Sequence, residues 1–97
     1  MPTFVSLVNW TEQGVANFKD TVARSADARS AAAAMGGQIK EIYWTVGPYD
    51  LITVAEFPDD ESATAFLLAL SSRGSVRTTT LRAYGADEMT RIIGKVG

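Results

Sequence analysis

The segment DLITVAEF, positions 50 to 57, constrains this chain most, because its apolar residues fall on both sides of an extended strand. Successive side chains of a strand point to opposite faces. Asp50, Ile52, Val54 and Glu56 therefore share one side, and Leu51, Ala55 and Phe57 share the other. Residues 3 to 9, TFVSLVN, repeat the pattern with Phe4, Val5, Leu7 and Val8 on both parities. An antiparallel sheet with one wet face shows clean alternation instead. Strands of this kind call for cover on both faces, and the amount of helix in the chain decides what supplies it.

Helical spacing begins after Thr11, a residue suited to be the N-cap, with Val15, Phe18, Val22 and Ala26 recurring at three- and four-residue intervals. This predicts one long amphipathic helix. The run ARSAAAAMGG extends it by alanine propensity and stops it at Gly36-Gly37. Residues 38 to 46 read as a second strand, joined to the strand at 50 to 57 by a tight turn through Gly47, Pro48 and Tyr49. Pro58 ends that strand, and Asp59, Asp60 and Glu61 suit the positive end of the next helix. That helix carries Ala63, Phe66, Leu67 and Leu70 toward a core and ends at Gly74. A fourth strand spans about 76 to 84, and a last helix starts near Asp87 with Met89, Ile92, Ile93 and Val96 on one stripe.

The order βαββαβ plus a terminal helix predicts an α+β, ferredoxin-like antiparallel sheet with two main helices on one face, as a single domain over residues 1 to 97. That is helix enough for one face. The other is expected to pack on a second copy of the chain, giving a homodimer.

Composition removes several function classes. Nine basic and eleven acidic residues give a formal charge of −2, scattered along the chain, so no basic footprint for nucleic acid is present. Cysteine and histidine are both absent, which leaves only carboxylates as common metal ligands and no proximal imidazole for a haem. No metal or cofactor is expected. The start MPTFVSLVNW has no basic region or cleavage site, and no apolar run approaches the ~20 residues of a membrane span. The expected location is cytoplasmic, without membrane partners.

The stretch from Gly36 to Tyr84 is similar to the GYD domain family, small bacterial proteins named for a Gly, Tyr, Asp signature at a strand start. Here the signature is Gly47, Tyr49 and Asp50, with Pro48 between, and the likeness extends to Lys40, Tyr43, Thr45 and the strand VRTTTLRAY. The resemblance implies a dimeric α/β-barrel, two sheets packed face to face. It implies no particular activity, since relatives of similar fold include cofactor-free monooxygenases, haem-degrading enzymes, isomerases and ligand-sensing domains.

The chemistry then rests on individual residues. Glu56 is charged where a central strand calls for an apolar side chain. It is expected on the face away from the helices, held by Arg82 or by hydroxyls of Thr78, Thr80 or Tyr43. A structural ion pair is the cheaper reading, and a general base with Arg82 or Tyr43 orienting substrate is the functional one. Tyr49 and Asp50 read first as turn chemistry and second as a donor and carboxylate at a pocket mouth. Asn9 ends a strand beside Trp10, but an amide next to aromatics also suits positioning an aromatic substrate. Trp44 reads as core before it reads as a stacking platform. The catalytic candidates are thus Glu56, Tyr43, Arg82 and Asn9, and the ligand-binding candidates Tyr43, Trp44, Tyr49, Asp50, Glu56 and Arg82. Three functions remain open. The first is a module that binds or senses a small apolar or aromatic ligand. The second is a cofactor-independent monooxygenase or isomerase. The third is a structural subunit whose contacts beyond the dimer build a larger assembly.

Overall fold

The computed structural model describes residues Met1–Gly97. Four strands, β1 (Thr3–Trp10), β2 (Gln38–Trp44), β3 (Leu51–Glu56) and β4 (Val76–Ala83), form one antiparallel sheet in the order β2-β3-β1-β4. The helices are α1 (Glu12–Ala16), α2 (Thr21–Ala34), α3 (Asp60–Ser72) and α4 (Ala86–Gly94). The ferredoxin-like plan read from the pattern of elements is the plan observed.

Register fixes the faces. Phe4 lies between Ala55 and Arg82, Ser6 between Thr53 and Thr80, and Val8 between Leu51 and Thr78. This set faces α2 and α3. The odd set, with Val5 between Val54 and Leu81 and Leu7 between Ile52 and Thr79, faces away from them. The core on the helix side gathers Ala28 and Ala32 from α2, Ile39 and Ala55 from the sheet, Phe57 just after β3, and Ala63 and Phe66 from α3. The Phe57 and Phe66 rings stand 5.2 Å apart, between aromatic stacking and edge contact.

The single long helix expected from residue 12 is instead two, with a 3-10 turn, Phe18–Asp20, between them. Asn17 breaks the run: its backbone leaves helical values at φ −109° and ψ 29°, and its side-chain amide donates to the Gln13 carbonyl at 2.9 Å. The break changes which residues face inward. Val15, Phe18 and Val22, expected to be buried, are 54%, 53% and 66% exposed, whereas Ala32 is fully buried. Small side chains let α2 approach the sheet closely, so the alanine run supplies the packing face as well as helix propensity.

Candidate functional site

The helix-facing side of the sheet carries an unusual row of hydroxyls, Ser6, Thr53, Thr78 and Thr80, opposite Phe66 and Leu67. Ser6 and Thr80 satisfy each other at 2.8 Å. Voids of about 60 and 10 Å³ separate sheet and helices there. They are far below the roughly 300 Å³ of an ordinary small-molecule site. Two openings flank this filled interior. One, of about 90 Å³, lies where β1 and β4 meet α2 and α3, and Arg24 and Arg73 reach its wall. The other is an open groove of about 380 Å³ bordered by Phe4, Asp60, Arg82 and Tyr84.

The expected site residues divide among separate places. Glu56 faces away from the helices, as its parity required, but its partner is Lys40 at 3.5 Å. Arg82 is not available to it, because Arg82 pairs with Phe4 in the register and therefore lies on the opposite face. The same register removes Thr78 and Thr80. Arg82 instead stacks 4.5 Å from the centre of the Tyr84 ring, reaches Glu88 of α4 at 3.5 Å and donates to the Ala83 carbonyl. A β-bulge between Ile39 and Glu41 interrupts the pairing at Lys40, whose ammonium reaches Glu56. Bulges leave only a weak trace in sequence, so strand spacing alone does not bring Lys40 to Glu56.

Tyr43 is on the open face too, donating to Glu41 at 3.1 Å. That bond, with the neighbouring negative charge, raises the Tyr43 pKa above its ordinary value. A phenol shifted this way holds its proton more firmly and is no base at neutral pH. Asn9 pairs with Arg77 in register at the far end of β1. Trp44 is 42% exposed on edge strand β2, its indole N–H donating to Thr21 Oγ1 at 3.0 Å. No three carboxylates gather to hold a cation.

Tyr49 and Asp50 belong to a corner that ties the β2–β3 turn to β1. The Asp50 carboxylate accepts the Trp10 backbone N–H at 2.8 Å, and the Asp50 N–H donates to the Val8 carbonyl at 2.8 Å. The Thr45 N–H returns to the Asp50 carbonyl at 2.9 Å, while the Thr45 hydroxyl donates to the Tyr49 carbonyl at 2.5 Å. The Tyr49 carbonyl, both main-chain groups of Asp50 and one oxygen of the Asp50 carboxylate are thus engaged in holding the turn. A family profile for the GYD domain matches residues 4–93, nearly the whole chain, including this corner. The chain belongs to the GYD domain family.

Among relatives of this GYD protein, one from Thermus thermophilus is 33% identical over 94 residues, covering 95% of this chain and 99% of the relative. It is named glutamine synthetase and cystathionine beta-lyase binding protein. The crystal structure of TTHA0845, also from Thermus thermophilus, superposes with a TM-score of 0.57 at 27% identity, covering 89% of this chain and 96% of that one. The C-terminal domain of the MgtC protein from Mycobacterium tuberculosis matches with a TM-score of 0.55 at 13% identity, over 88% of this chain and 89% of that one. That last likeness concerns the fold alone. No helix of this GYD protein is long and apolar enough to cross a membrane.

Proposed function

We propose that this GYD protein is a cytoplasmic, homodimeric binding module that acts by docking on metabolic enzymes. The observation that carries the reading is the exposed apolar stripe Val15, Phe18 and Val22 along α1, the 3-10 turn and α2. A dimer seam centred on Val5, Leu7, Ile52 and Val54 of the open sheet face includes none of these three residues. Exposed apolar surface of this kind marks a protein-binding site. The Thermus relative, similar over nearly its full length, supports the choice of partner, since its name records binding to glutamine synthetase and to cystathionine beta-lyase.

A cofactor-independent enzyme finds less support in the geometry. Glu56, Tyr43, Asn9 and Arg82 do not converge on one point: Arg82 is on the opposite face of the sheet from Glu56, and Asn9 is at the far end of β1 from Glu56. A structural subunit would use the same apolar surface, and the name of the Thermus relative is what favours an enzyme partner over further copies of this chain.

The test is binding of the purified protein to purified glutamine synthetase and cystathionine beta-lyase of the same organism, measured by surface plasmon resonance. Phe18→Glu is expected to remove binding while light scattering still reports the dimer. Absence of binding to both enzymes at tens of micromolar rejects the partner assignment, and binding unaffected by Phe18→Glu rejects the stripe.

A further inference from the structure

The last helix stands off the body of its own chain. α4 is nine residues long, and of its side chains only Glu88 and Ile92 are half-buried. Met89 and Ile93 of the apolar stripe, and Val96 just beyond the helix, are 46%, 60% and 85% exposed. The molecule measures 51 × 30 × 18 Å, which is long for 97 residues. A helix shorter than about 12 residues is marginal in water unless it packs an apolar face on something.

The same chain offers a place for such a face. The groove of about 380 Å³ between α3 and β4 is the largest opening on the molecule, and Phe4, Leu67 and Tyr84 give it apolar walls. Asp60 at its edge takes part in no ion pair. Lys95, three residues beyond Ile92 and so beside the stripe, takes part in none either. α4 does not close the groove of its own chain. The Arg82 contact to Glu88 at 3.5 Å and the Gly85 N–H donating to Glu88 at 3.2 Å fix how the helix leaves β4, and the stripe stays uncovered.

We propose that α4 is an exchange arm, with Met89 and Ile93 lying in the α3–β4 groove of a second copy of this chain and Lys95 set against the acidic edge of that groove. In a two-fold pair each protomer gives one arm and one groove, so the contact closes on itself. Tyr84 borders both the groove and the hollow beneath α4. An axis passing near the two Tyr84 side chains therefore brings each arm, ~13 Å long, to the other copy's groove. The area fits as well. The chain exposes 6246 Å² where about 5,400 Å² is usual for 10.4 kDa, and the excess matches the roughly 800 Å² that each partner buries in a standard interface. The inference rests on the self-association proposed above and names the elements that lock it.

The chain has no cysteine, so Thr64→Cys on the groove wall combined with Ile93→Cys on the arm gives a single reactive pair per copy. A short bismaleimide is expected to join two copies into a covalent dimer on a denaturing gel, while either single variant gives little. Ile93→Glu alters a side chain exposed in the single chain, so circular dichroism should report an intact fold. Analytical ultracentrifugation should show its dimer weakened about tenfold or more, the effect of forcing a charge into an apolar contact. Cross-linking confined within one chain means that α4 folds back into its own groove, and it overturns the exchange. Unchanged dimer dissociation in Ile93→Glu overturns it too. A dimer that forms without cross-linking overturns the arm alone, whereas a chain that is monomeric at micromolar concentration overturns the self-association with it.

Discussion

Gly47 has a φ of 141° and no atom within 4 Å of the place a Cβ would occupy. Any penalty for a side chain there is therefore conformational rather than steric, and Gly47→Ala is expected to cost more than about 1 kcal/mol. Denaturant unfolding measures it, and a neutral result means the β2–β3 turn relaxes without needing this backbone. Gly14 presents the opposite case. Its backbone is ordinary, but a Cβ would stand 2.1 Å from the Ser75 carbonyl oxygen, which is main chain and cannot rotate aside. Gly14→Ala must push α1 away from the start of β4, at a cost of about 1–3 kcal/mol typical of overpacking. The Gly47 requirement was legible, because a turn between two strand patterns with Gly-Pro names its own geometry. The Gly14 requirement was not, since a glycine inside a helical pattern says nothing about which distant carbonyl it meets. Glu56 lies between these cases: parity gave its face, but the identity of its partner depended on the bulge at Lys40 and on the register of β4.

At the level of elements, α3 is started by Asp59, whose carboxylate accepts the Ser62 N–H at 2.7 Å. That bond holds the Asp59 pKa below its ordinary 3.8. The Gly85 N–H, and then Arg82, similarly hold Glu88 of α4 below 4.5. Because the folded values are depressed, the stabilisation is fully present above the ordinary values and is lost as pH falls through the lower folded ones. Melting temperature should thus drop as acid is added below about pH 4. Asp59→Asn keeps a capping amide oxygen but removes the titration, so its pH profile should be flatter, with parallel profiles ruling out the capping charge as a source of acid sensitivity. The α3 cap is readable from Pro58 followed by acids, whereas the Gly85–Glu88 cap of α4 has no such mark in the sequence. The inward faces of α2 and β4 were not readable in the same way. Size favours larger apolar residues such as Val22 for the core on α2, yet close approach to the sheet selects Ala28 and Ala32. On β4, spacing groups Thr78, Thr80 and Arg82 on one side, but the need of Glu56 for a partner points that side to the open face, and the register turns it the other way. Here Ser6, Thr53, Thr78 and Thr80 lie beneath the helices.

For the whole molecule, the surface is too large for its mass. A compact monomer of 10.4 kDa exposes about 5,400 Å², whereas this chain exposes 6246 Å². The surplus is close to the roughly 800 Å² that each partner buries in a standard interface. Its radius of gyration, 14.5 Å, likewise exceeds the ~12.5 Å of a compact chain of this length. Two features account for the excess: the open sheet face centred on Val5, Leu7, Ile52 and Val54, and α4, whose Met89 and Ile93 are 46% and 60% exposed. A second copy placed face to face covers the sheet, so the protein is expected to remain a dimer across a dilution series into the low micromolar range, with a melting temperature that rises with concentration. Val54→Arg puts a charge at the centre of that face, opposite Val5 in the register, and is expected to yield monomers that melt earlier. Light scattering reads both species. A wild-type monomer that stays folded at micromolar concentration, with melting independent of concentration, would show that water tolerates the apolar face and would remove the barrel from the proposal. A Val54→Arg protein that stays dimeric would instead move the seam away from the sheet centre and leave α4, with its uncovered stripe, to make it.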